Sequence, residues 1–410
     1  MKICGIIAEY NPFHNGHEYH LKRTKEISGA DYIVVCMSGD FVQRGIPAIA
    51  DKYARAGSAL LAGADLVLEL PAVYATGSAD YFAKGAVSLL DGVGCDLISF
   101  GSETGNIEAL NTAAEVYSKA ETDHANEIAF HIREGSSYVK ALNEVCRAYY
   151  AVDEACLCPD SNDKLGIAYI KNIKRLNSSM KALAVKREGS AYLDGETDGN
   201  SAMAIRNALH ASSDPWTIRD RIPEYSYDAL FEEPLRSCPV YANDFSDMLY
   251  MKLKTITDGM AGSEELTGYL DVSQNIAGRI IKNLNTFSAY DRFAYSVLTP
   301  EYTISRINRA LLHILLEIKE NDMIFSDGDC TPYARILGFR EQSAELMSEI
   351  KRKAKLQIIT KPADGAKKLS DAGRRMFERD VFASELYEHV ASGKYDREKI
   401  SELRRNPIII

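Results

Sequence analysis

The stretch that decides the fold covers residues 5–17 and reads Gly5-Ile6-Ile7-Ala8-Glu9-Tyr10-Asn11-Pro12-Phe13-His14-Asn15-Gly16-His17. The apolar run at its start predicts a short strand, and the His-x-Gly-His tetrad at its end predicts the beginning of a helix. Asn11 and Pro12 would form the turn between them, which places His14 and His17 one helical turn apart on one side. Their ring N–H groups and the free amides of the helix start can then converge on a polyphosphate, and Gly16 lets it approach the backbone.

The tetrad alone is weak evidence for a phosphate site, because three fixed positions also arise by chance. The alternative interpretation of His14 and His17 is a pair of histidines that cap the helix or are satisfied within the core. The context favours phosphate binding. A strand precedes the tetrad, a helix follows it, and residues 31–37 (Asp-Tyr-Ile-Val-Val-Cys-Met) have the pattern of the next buried strand.

The first hundred residues alternate between apolar strands and amphipathic helices. This alternation predicts an α/β fold with a doubly wound, Rossmann-like parallel sheet that is covered by helices on both faces. In such sheets, ligands bind at the carboxyl ends of the strands. The predicted strands are 2–8, 32–37, 66–70 and 97–100, and the predicted helices are 17–27, 52–62 and 79–90.

Two domains are expected from the patterns further along the chain. Residues 1–210 would form the phosphate-binding domain, with a helical insertion at about 104–165 before the sheet resumes at 180–185. Ser201 is a candidate N-cap for a helix that follows a polar loop at 191–200. Residues 211–410 would form a mostly helical domain, which begins with a connecting region broken by prolines.

The composition is that of a globular protein with a large core. Of its 410 residues, 46% are hydrophobic and 26% are charged. The formal charge of −10 argues against a protein that coats nucleic acid without selectivity. Residues 331–410 nevertheless hold 17 Lys and Arg against 12 Asp and Glu, a net +5, so the remainder carries −15.

Eight cysteines are scattered along the chain, and the only close pair is Cys156 and Cys158. Their spacing predicts neither a zinc site nor a disulfide framework, and we expect no metal site in the protein itself. The first residues do not resemble a signal peptide, and no run of about 18 apolar residues predicts a membrane helix. We therefore expect a cytoplasmic protein without a membrane partner, and nothing in the sequence indicates a protein partner.

Further candidates for the site follow other predicted strands. Lys186 and Arg187 end the strand at 180–185, and Arg206 lies one turn into the helix that Ser201 caps, so these cations could meet a polyphosphate or could simply be surface residues. Gly101 is either a turn glycine or a place where an adenine or ribose packs on bare backbone. Asn162 either caps the following helix or reaches a ligand.

A second group of cations lies in the C-terminal half. Such basic stretches are usually solvated helix faces. The alternative is contact with RNA phosphates, which position a substrate without reading its bases. The group comprises Lys351, Arg352, Lys353 and Lys355, with Arg335 and Arg340 upstream.

The motifs together, in their order, resemble the bacterial tRNA(Met) cytidine acetate ligases, a branch of the His-x-Gly-His nucleotidyltransferases. The resemblance covers nearly the whole chain. Beside the tetrad it rests on segments at 38–45 (Ser-Gly-Asp-Phe-Val-Gln-Arg-Gly), 63–71 (Gly-Ala-Asp-Leu-Val-Leu-Glu-Leu-Pro), 100–103, 165–169, 186–188, 201–206 and 333–339 (Tyr-Ala-Arg-Ile-Leu-Gly-Phe).

The resemblance implies a two-step reaction. Acetate would attack the α-phosphate of ATP to give acetyl-adenylate and pyrophosphate, and the wobble cytidine of elongator tRNA(Met) would then take the acetyl group on its exocyclic amine. His14, His17 and Arg206 would be catalytic through charge neutralisation and in-line positioning. Mg²⁺ would be carried by the nucleotide.

Binding residues are expected for both substrates. The tRNA contacts would come from the basic group Arg335, Lys351, Arg352, Lys353 and Lys355, because a tRNA substrate needs a surface that binds its phosphates. Two alternatives stay open: an adenylyltransferase acting on a small molecule, and a non-catalytic nucleotide-dependent RNA-binding module. The residues expected to bind ATP are Ile7, Ala8, Glu9, Tyr10, Asn11, Pro12, Phe13, His14, Asn15, Gly16, His17, Glu18, Tyr19, His20, Gly101, Asn162, Arg187 and Ser201.

Overall fold

A mixed β-sheet organises the fold in this computed structural model. The structure describes residues 1–134, 136, 138–150, 157, 161–187, 201–212, 214–231, 235–259, 262–323 and 331–410. The predicted polar loop at 191–200 and the pair Cys156 and Cys158 lie outside these residues. The strands of the sheet are β1 (Ile3–Ala8), β2 (Tyr32–Ser38), β5 (Leu66–Leu70), β6 (Leu97–Ser102), β7 (Lys181–Lys186), β8 (Tyr333–Phe339), β9 (Gln357–Ile359) and β10 (Ile408–Ile409), and a separate hairpin consists of β3 (Phe41–Val42) and β4 (Ile46–Pro47).

The strand order is β10-β8-β5-β2-β1-β6-β7, with β9 paired to β8. The strands from β5 to β7 run parallel, as the alternation of strands and helices predicted. Strand β8 is antiparallel to β5, and β9 and β10 pair parallel with β8, an arrangement that the sequence pattern did not predict. The doubly wound α/β fold is confirmed, with these three strands running antiparallel to those from β5 to β7.

Alternation along the strands builds a core on each face of the sheet. In β2, Val34 and Cys36 belong to the larger core, whereas Ile33, Val35 and Met37 belong to the smaller one on the opposite face. Strands buried on both faces must be apolar at nearly every position, which explains why these strands were recognisable as short hydrophobic runs.

Helices cover both faces in the first part of the chain. Those that follow the early strands begin at side-chain caps: Asp51 accepts from two backbone amides at the start of one, and Ser78 accepts at the start of another. Their bounds are α1 (Asn15–Ser28), α2 (Lys52–Leu61), α3 (Ala72–Ala75) and α4 (Ala79–Gly92).

Between β6 and β7 the described segments are helical, where the sequence predicted an insertion at 104–165. Their bounds are α5 (Ile107–Asp123), α6 (Ala125–Arg133), α7 (Tyr138–Tyr149) and α8 (Ser161–Arg175). The hydroxyl of Tyr117 in α5 donates to Asn143 in α7 at 2.8 Å, so a buried hydrogen bond ties these helices together. Gly166 in α8 packs against the ring of Phe100 in β6, which joins the insertion to the sheet.

The C-terminal half is mostly helical, but its strands return to the sheet. The helices are α9 (Ala202–Ala211), α10 (Glu224–Phe231), α11 (Ser246–Asp258), α12 (Gly262–Thr267), α13 (Gln274–Asn283), α14 (Tyr290–Val297), α15 (Ile304–Leu315), α16 (Ala344–Lys353), α17 (Pro362–Gly365) and α18 (Asp371–Lys394). Because β8, β9 and β10 belong to the same sheet as β1, the sheet crosses the expected boundary between residues 210 and 211. In the described part of the chain, no helix has both the length and the apolar character needed to cross a membrane.

Candidate nucleotide-binding site

The loop between β1 and α1 is held in place by buried side chains beneath it. Asn11 accepts a hydrogen bond from the amide of Ile49 at 2.8 Å. The guanidinium of Arg55, which is fully buried, donates to the carbonyl of Glu9 at 2.7 Å and to the carbonyls of Ser38 and Gly39 at the end of β2. The same side chain therefore joins the carboxyl ends of β1 and β2, the edge at which sheets of this kind bind ligands.

His14 and His17 stack on each other at the start of α1, with 3.7 Å between ring centroids. The Nδ1 atom of His14 accepts from the amide of Gly16 at 3.0 Å, and the Nδ1 atom of His17 accepts from the amide of His14 at 3.3 Å. The histidines thus cap the helix, as the alternative interpretation expected. Because each Nδ1 is an acceptor, a neutral ring carries its proton on Nε2, and this N–H is the group that can donate to a phosphate.

Three imidazoles in this region are held in the neutral form. Burial, with Arg187 and Arg206 nearby, lowers the pKa of His14 to about 4. Burial, followed by the neighbouring histidines and Arg187, holds the pKa of His17 well below its usual value. Burial and Arg187 lower the pKa of His20 to about 4, and its Nε2 lies 3.3 Å from the hydroxyl of Ser99. Near neutral pH these rings are therefore uncharged hydrogen-bond donors rather than cations.

The positive charge of the site comes from two arginines on different elements. Arg206 in α9 donates to the carbonyl of Asn11 at 2.6 Å, so it lies against the loop itself. Arg187 follows β7, where its Nη1 lies 3.7 Å from an oxygen of Glu103 and its side chain is 41% exposed. Lys186, the last residue of β7, is exposed. Both arginines act electrostatically on His14, so an anion at the start of α1 would meet their positive charge.

The remaining predicted residues lie around this centre. Asn162 lies inside the first turn of α8 and donates to Glu103, so the alternative prediction that it caps the helix is wrong. Ser201 is the N-cap of α9, as predicted, because its hydroxyl accepts from the amide of Ala204 at 3.2 Å. Gly101 lies in β6, where an added Cβ would be 3.5 Å from Cγ of Arg187. Ile7 and Ala8 end β1, while Glu18, Tyr19 and His20 lie on the first two turns of α1.

Comparison with known proteins supports the reading of this geometry. A model described as HIGH Nucleotidyl Transferase matches residues 1–402. The chain belongs to this family. Among the HIGH nucleotidyl transferases it is 35% identical to the tRNA(Met) cytidine acetate ligase of Acetivibrio thermocellus, with full coverage of both chains. It is 38% identical to the protein of the same name from Caldanaerobacter subterraneus subsp. tengcongensis, over 94% of this chain and 95% of the relative.

Solved structures agree with the assignment to this nucleotidyl transferase family. The chain is similar to Thermotoga maritima TmcAL bound with alpha-thio ATP, with a TM-score of 0.89, 31% identity and full coverage of both chains. The apo form of that protein gives a TM-score of 0.90 at the same identity. The whole fold is therefore shared, including the helical half.

One candidate RNA contact of this nucleotidyl transferase is wrong. Arg335 lies in β8, is 1% exposed, and forms ion pairs with Glu69 and Glu402. A guanidinium enclosed by the sheet and its own carboxylates cannot reach a phosphate of a macromolecule. In the sequence it resembled a surface cation, because β8 was not recognised as a buried strand.

The other candidate RNA contacts lie at or near the surface, and three of them have acidic neighbours. Arg352 and Lys353 end α16 and form ion pairs with Glu349 at 2.6 and 3.0 Å. Lys355 forms an ion pair with Asp91 at 3.1 Å. Exposed pairs of this kind are weak and exchange readily with solvent, so these cations remain accessible to a phosphate. Their contact with RNA, together with that of Lys351, stays a prediction.

The side chains that hold the loop after β1 and the residues around it in place were not predicted from the sequence. Arg55 had no distinguishing signal, since one arginine in an amphipathic helix is normally a surface residue. Glu103 stood at the predicted ligand edge, but its role as a common partner of Asn162, Arg187 and the amide of Asp163 was not foreseen. Long-range polar contacts of this kind leave no periodic pattern in a sequence.

Proposed function

We propose that this protein is an ATP-dependent ligase that activates acetate as acetyl-adenylate and transfers the acetyl group to the N4 amine of the wobble cytidine in elongator tRNA(Met). The observation that carries the proposal is the stacked pair His14 and His17, whose Nδ1 atoms are occupied by backbone amides and whose Nε2–H groups lie at a helix start beside Arg187 and Arg206. The names of the full-length relatives support the choice of substrates.

In the first step, an oxygen of acetate forms a bond to the α-phosphorus of ATP, and the bond from that phosphorus to the bridging oxygen breaks. Negative charge then grows on the departing pyrophosphate. Neutral imidazole donors, two guanidinium groups and the helix start are suited to stabilise this charge without reorganisation. No general base is required, because acetate is already an anion.

In the second step, the N4 amine of cytidine attacks the acyl carbon of acetyl-adenylate. A carbon–nitrogen bond forms, the bond between the acyl carbon and the phosphate oxygen breaks, AMP departs, and the amine loses one proton to solvent. What the protein contributes is the position of the two reactants, which can account for much of the rate of such a transfer. Mg²⁺ is expected to arrive with the phosphates of the nucleotide.

The test separates the candidate functions by their products. We expect acetate-dependent exchange of labelled pyrophosphate into ATP, and labelled acetate in tRNA when ATP is present. ATP turnover without label in tRNA would favour an adenylyltransferase instead, and RNA binding without turnover would favour a non-catalytic module. His124→Ala is a matched control for substitutions in the tetrad, because His124 stacks on Tyr149 in the helical insertion.

A further inference from the structure

A short 3₁₀ helix, Pro215–Arg221, lies directly beside the start of α1. The side-chain amide of Asn15, inside the tetrad, donates to the carbonyl of Asp220 at 3.0 Å. Ile218 is fully buried in a small core with Ile49 and Ile205, which fixes the 3₁₀ helix to the region after β2. This helix therefore lies against the tetrad at one side of the candidate site, although the sequence pattern predicted only a connecting region here.

The same helix carries Trp216, the only tryptophan of the chain, and its side chain is 65% exposed. The guanidinium of Arg219 lies 5.3 Å from the centre of the Trp216 ring and 4.5 Å from the centre of the Tyr227 ring. Arg219 is itself paired with Glu224 at 2.7 Å. The indole is thus oriented by a cation–π contact while most of its surface faces solvent.

The position of Trp216 relates it to the second substrate rather than to ATP. In the strand order β2-β1-β6, Gly101 belongs to β6, on one side of the loop that follows β1. The core that anchors the 3₁₀ helix includes Ile49, which lies on the β2 side. The adenosine is expected at Gly101 on β6, whereas the 3₁₀ helix that carries the indole packs on Ile49 and Ile205 and contacts the tetrad at Asn15.

We propose that Trp216 is a stacking platform for an unpaired nucleobase of the RNA substrate, adjacent to the base that is acetylated. This inference rests on the proposed function, since transfer requires an anticodon-loop base within bonding reach of an adenylate at His14. Four residues of a 3₁₀ helix span about 8 Å, so Trp216 lies about that far along the helix from the contact of Asp220 with Asn15. A flat aromatic ring with its orientation fixed in advance binds an unstacked base without reading its identity.

The charge around the indole supports stacking rather than phosphate capture. Arg219 already has Glu224 at 2.7 Å and Asp228 at 3.8 Å, so its charge is largely compensated. The contribution of Trp216 should therefore depend little on ionic strength, unlike that of a cation that contacts the RNA backbone. A weak dependence on ionic strength would therefore distinguish base stacking on Trp216 from contact with the RNA backbone.

Because the chain has one tryptophan, its fluorescence reports on this position alone. We expect an anticodon stem-loop of tRNA(Met) to quench the emission of the wild-type protein at concentrations that saturate binding. A fully paired RNA duplex, which offers no free base, should not quench it, and neither should ATP. Saturation by the stem-loop without a change in emission would overturn the proposal, and quenching by ATP alone would assign the indole to the nucleotide.

Substitution gives the second test. Trp216→Ala should raise the KM for tRNA about tenfold or more, with little change in the salt dependence, and Trp216→Phe should restore most of the loss. Tyr295→Ala is the matched control, because Tyr295 is 64% exposed on α14 and should leave the KM for tRNA unchanged.

Acetate-dependent pyrophosphate exchange, measured on each variant without RNA, separates the two proposals. If the wild-type protein shows no exchange and no transfer, the proposed function fails. If it transfers acetate to tRNA but Trp216→Ala has a wild-type KM, only the stacking platform is wrong.

Discussion

Removal of the guanidinium of Arg335 is expected to destabilise the protein strongly and to leave RNA binding intact. Arg335 belongs to a buried ionic cluster with Lys52, Glu69 and Glu402, whose side chains are each 4% exposed or less. Lys52 lies 2.7 Å from Glu69 and 2.6 Å from Glu402, so each carboxylate contacts both cations. The substitution Arg335→Met keeps an unbranched apolar side chain and removes the charge together with the hydrogen bonds that the guanidinium donates to Tyr53 and Glu402.

The magnitude follows from the geometry. The ion pair between Arg335 and Glu69 has an N–O distance of 3.0 Å, which corresponds to an attraction of about 5.5 kcal/mol at an effective dielectric constant of 20. Part of this attraction offsets the desolvation of the two groups. The net cost of deleting one partner of a buried pair is about 3–5 kcal/mol, because the remaining carboxylates stay buried and only partly compensated. That is a large share of the roughly 5–15 kcal/mol that stabilises a folded domain.

The assay is urea unfolding followed by far-UV circular dichroism, combined with filter binding of tRNA under native conditions. Arg335→Met should lower the free energy of unfolding by about 3–5 kcal/mol, while the Kd for tRNA stays within about twofold. Arg352→Met is the matched control. Its side chain is 67% exposed, and the free energy of unfolding should change by no more than about 0.5 kcal/mol.

One combination of results would contradict this interpretation of Arg335. If Arg335→Met unfolds at the wild-type urea concentration, binds tRNA more weakly and reduces the salt slope of binding by about one, Arg335 contacts a phosphate. The ionic cluster would then not exist as described.

Four further outcomes test the site. Burial lowers the pKa of His14 to about 4 from an ordinary 6.5, so the folded state binds fewer protons than the unfolded state between these values. The contribution of His14 to stability is therefore nearly complete above pH 6.5 and falls by about 2 kcal/mol at pH 5. His14→Gln should remove this part of the loss in urea titrations, whereas the parts due to His17 and His20 remain. His17→Ala should lower acetate-dependent pyrophosphate exchange at least about hundredfold and keep the Kd for tRNA. Gly101→Ala places a methyl at an ordinary 3.5 Å from Arg187, so the variant should fold normally and raise the KM for ATP about tenfold if adenosine packs there. Reversal of the three charges at 351–353 to glutamate should weaken tRNA binding about tenfold or more and reduce its salt slope, whereas unchanged binding would move the RNA surface elsewhere.

The sequence predicted the elements whose pattern is local. Strands buried on both faces and helices with one apolar face are visible in short windows, so β1, β2 and β5 were predicted to within a residue at each end. The tetrad was predictive for the same reason, because its spacing places both imidazoles on one side of one turn.

The rest of the structure depends on residues far apart in the chain. Arg335 was misread because its partners Glu69 and Glu402 come from other elements. The contact of Asn162 with Glu103 was not predicted, since nothing local indicated that the two side chains would face each other. Trp216 was passed over because only the folded chain brings a proline-rich connection against the tetrad. Local sequence patterns do not indicate contacts between residues that are far apart in the chain.

The antiparallel strand β8 has a consequence for the chain as it leaves the ribosome. Its partner, β5, ends at Leu70, whereas β8 begins at Tyr333, so about 260 residues are translated before that pairing can form. At translation rates of about 5–20 residues per second, the delay is roughly 15–50 s. During this time the nascent polypeptide carries an unpaired apolar strand edge that other chains can extend. Completion of the nucleotide-binding sheet is thus among the last events of biosynthesis, and chaperone protection is expected to matter most before it.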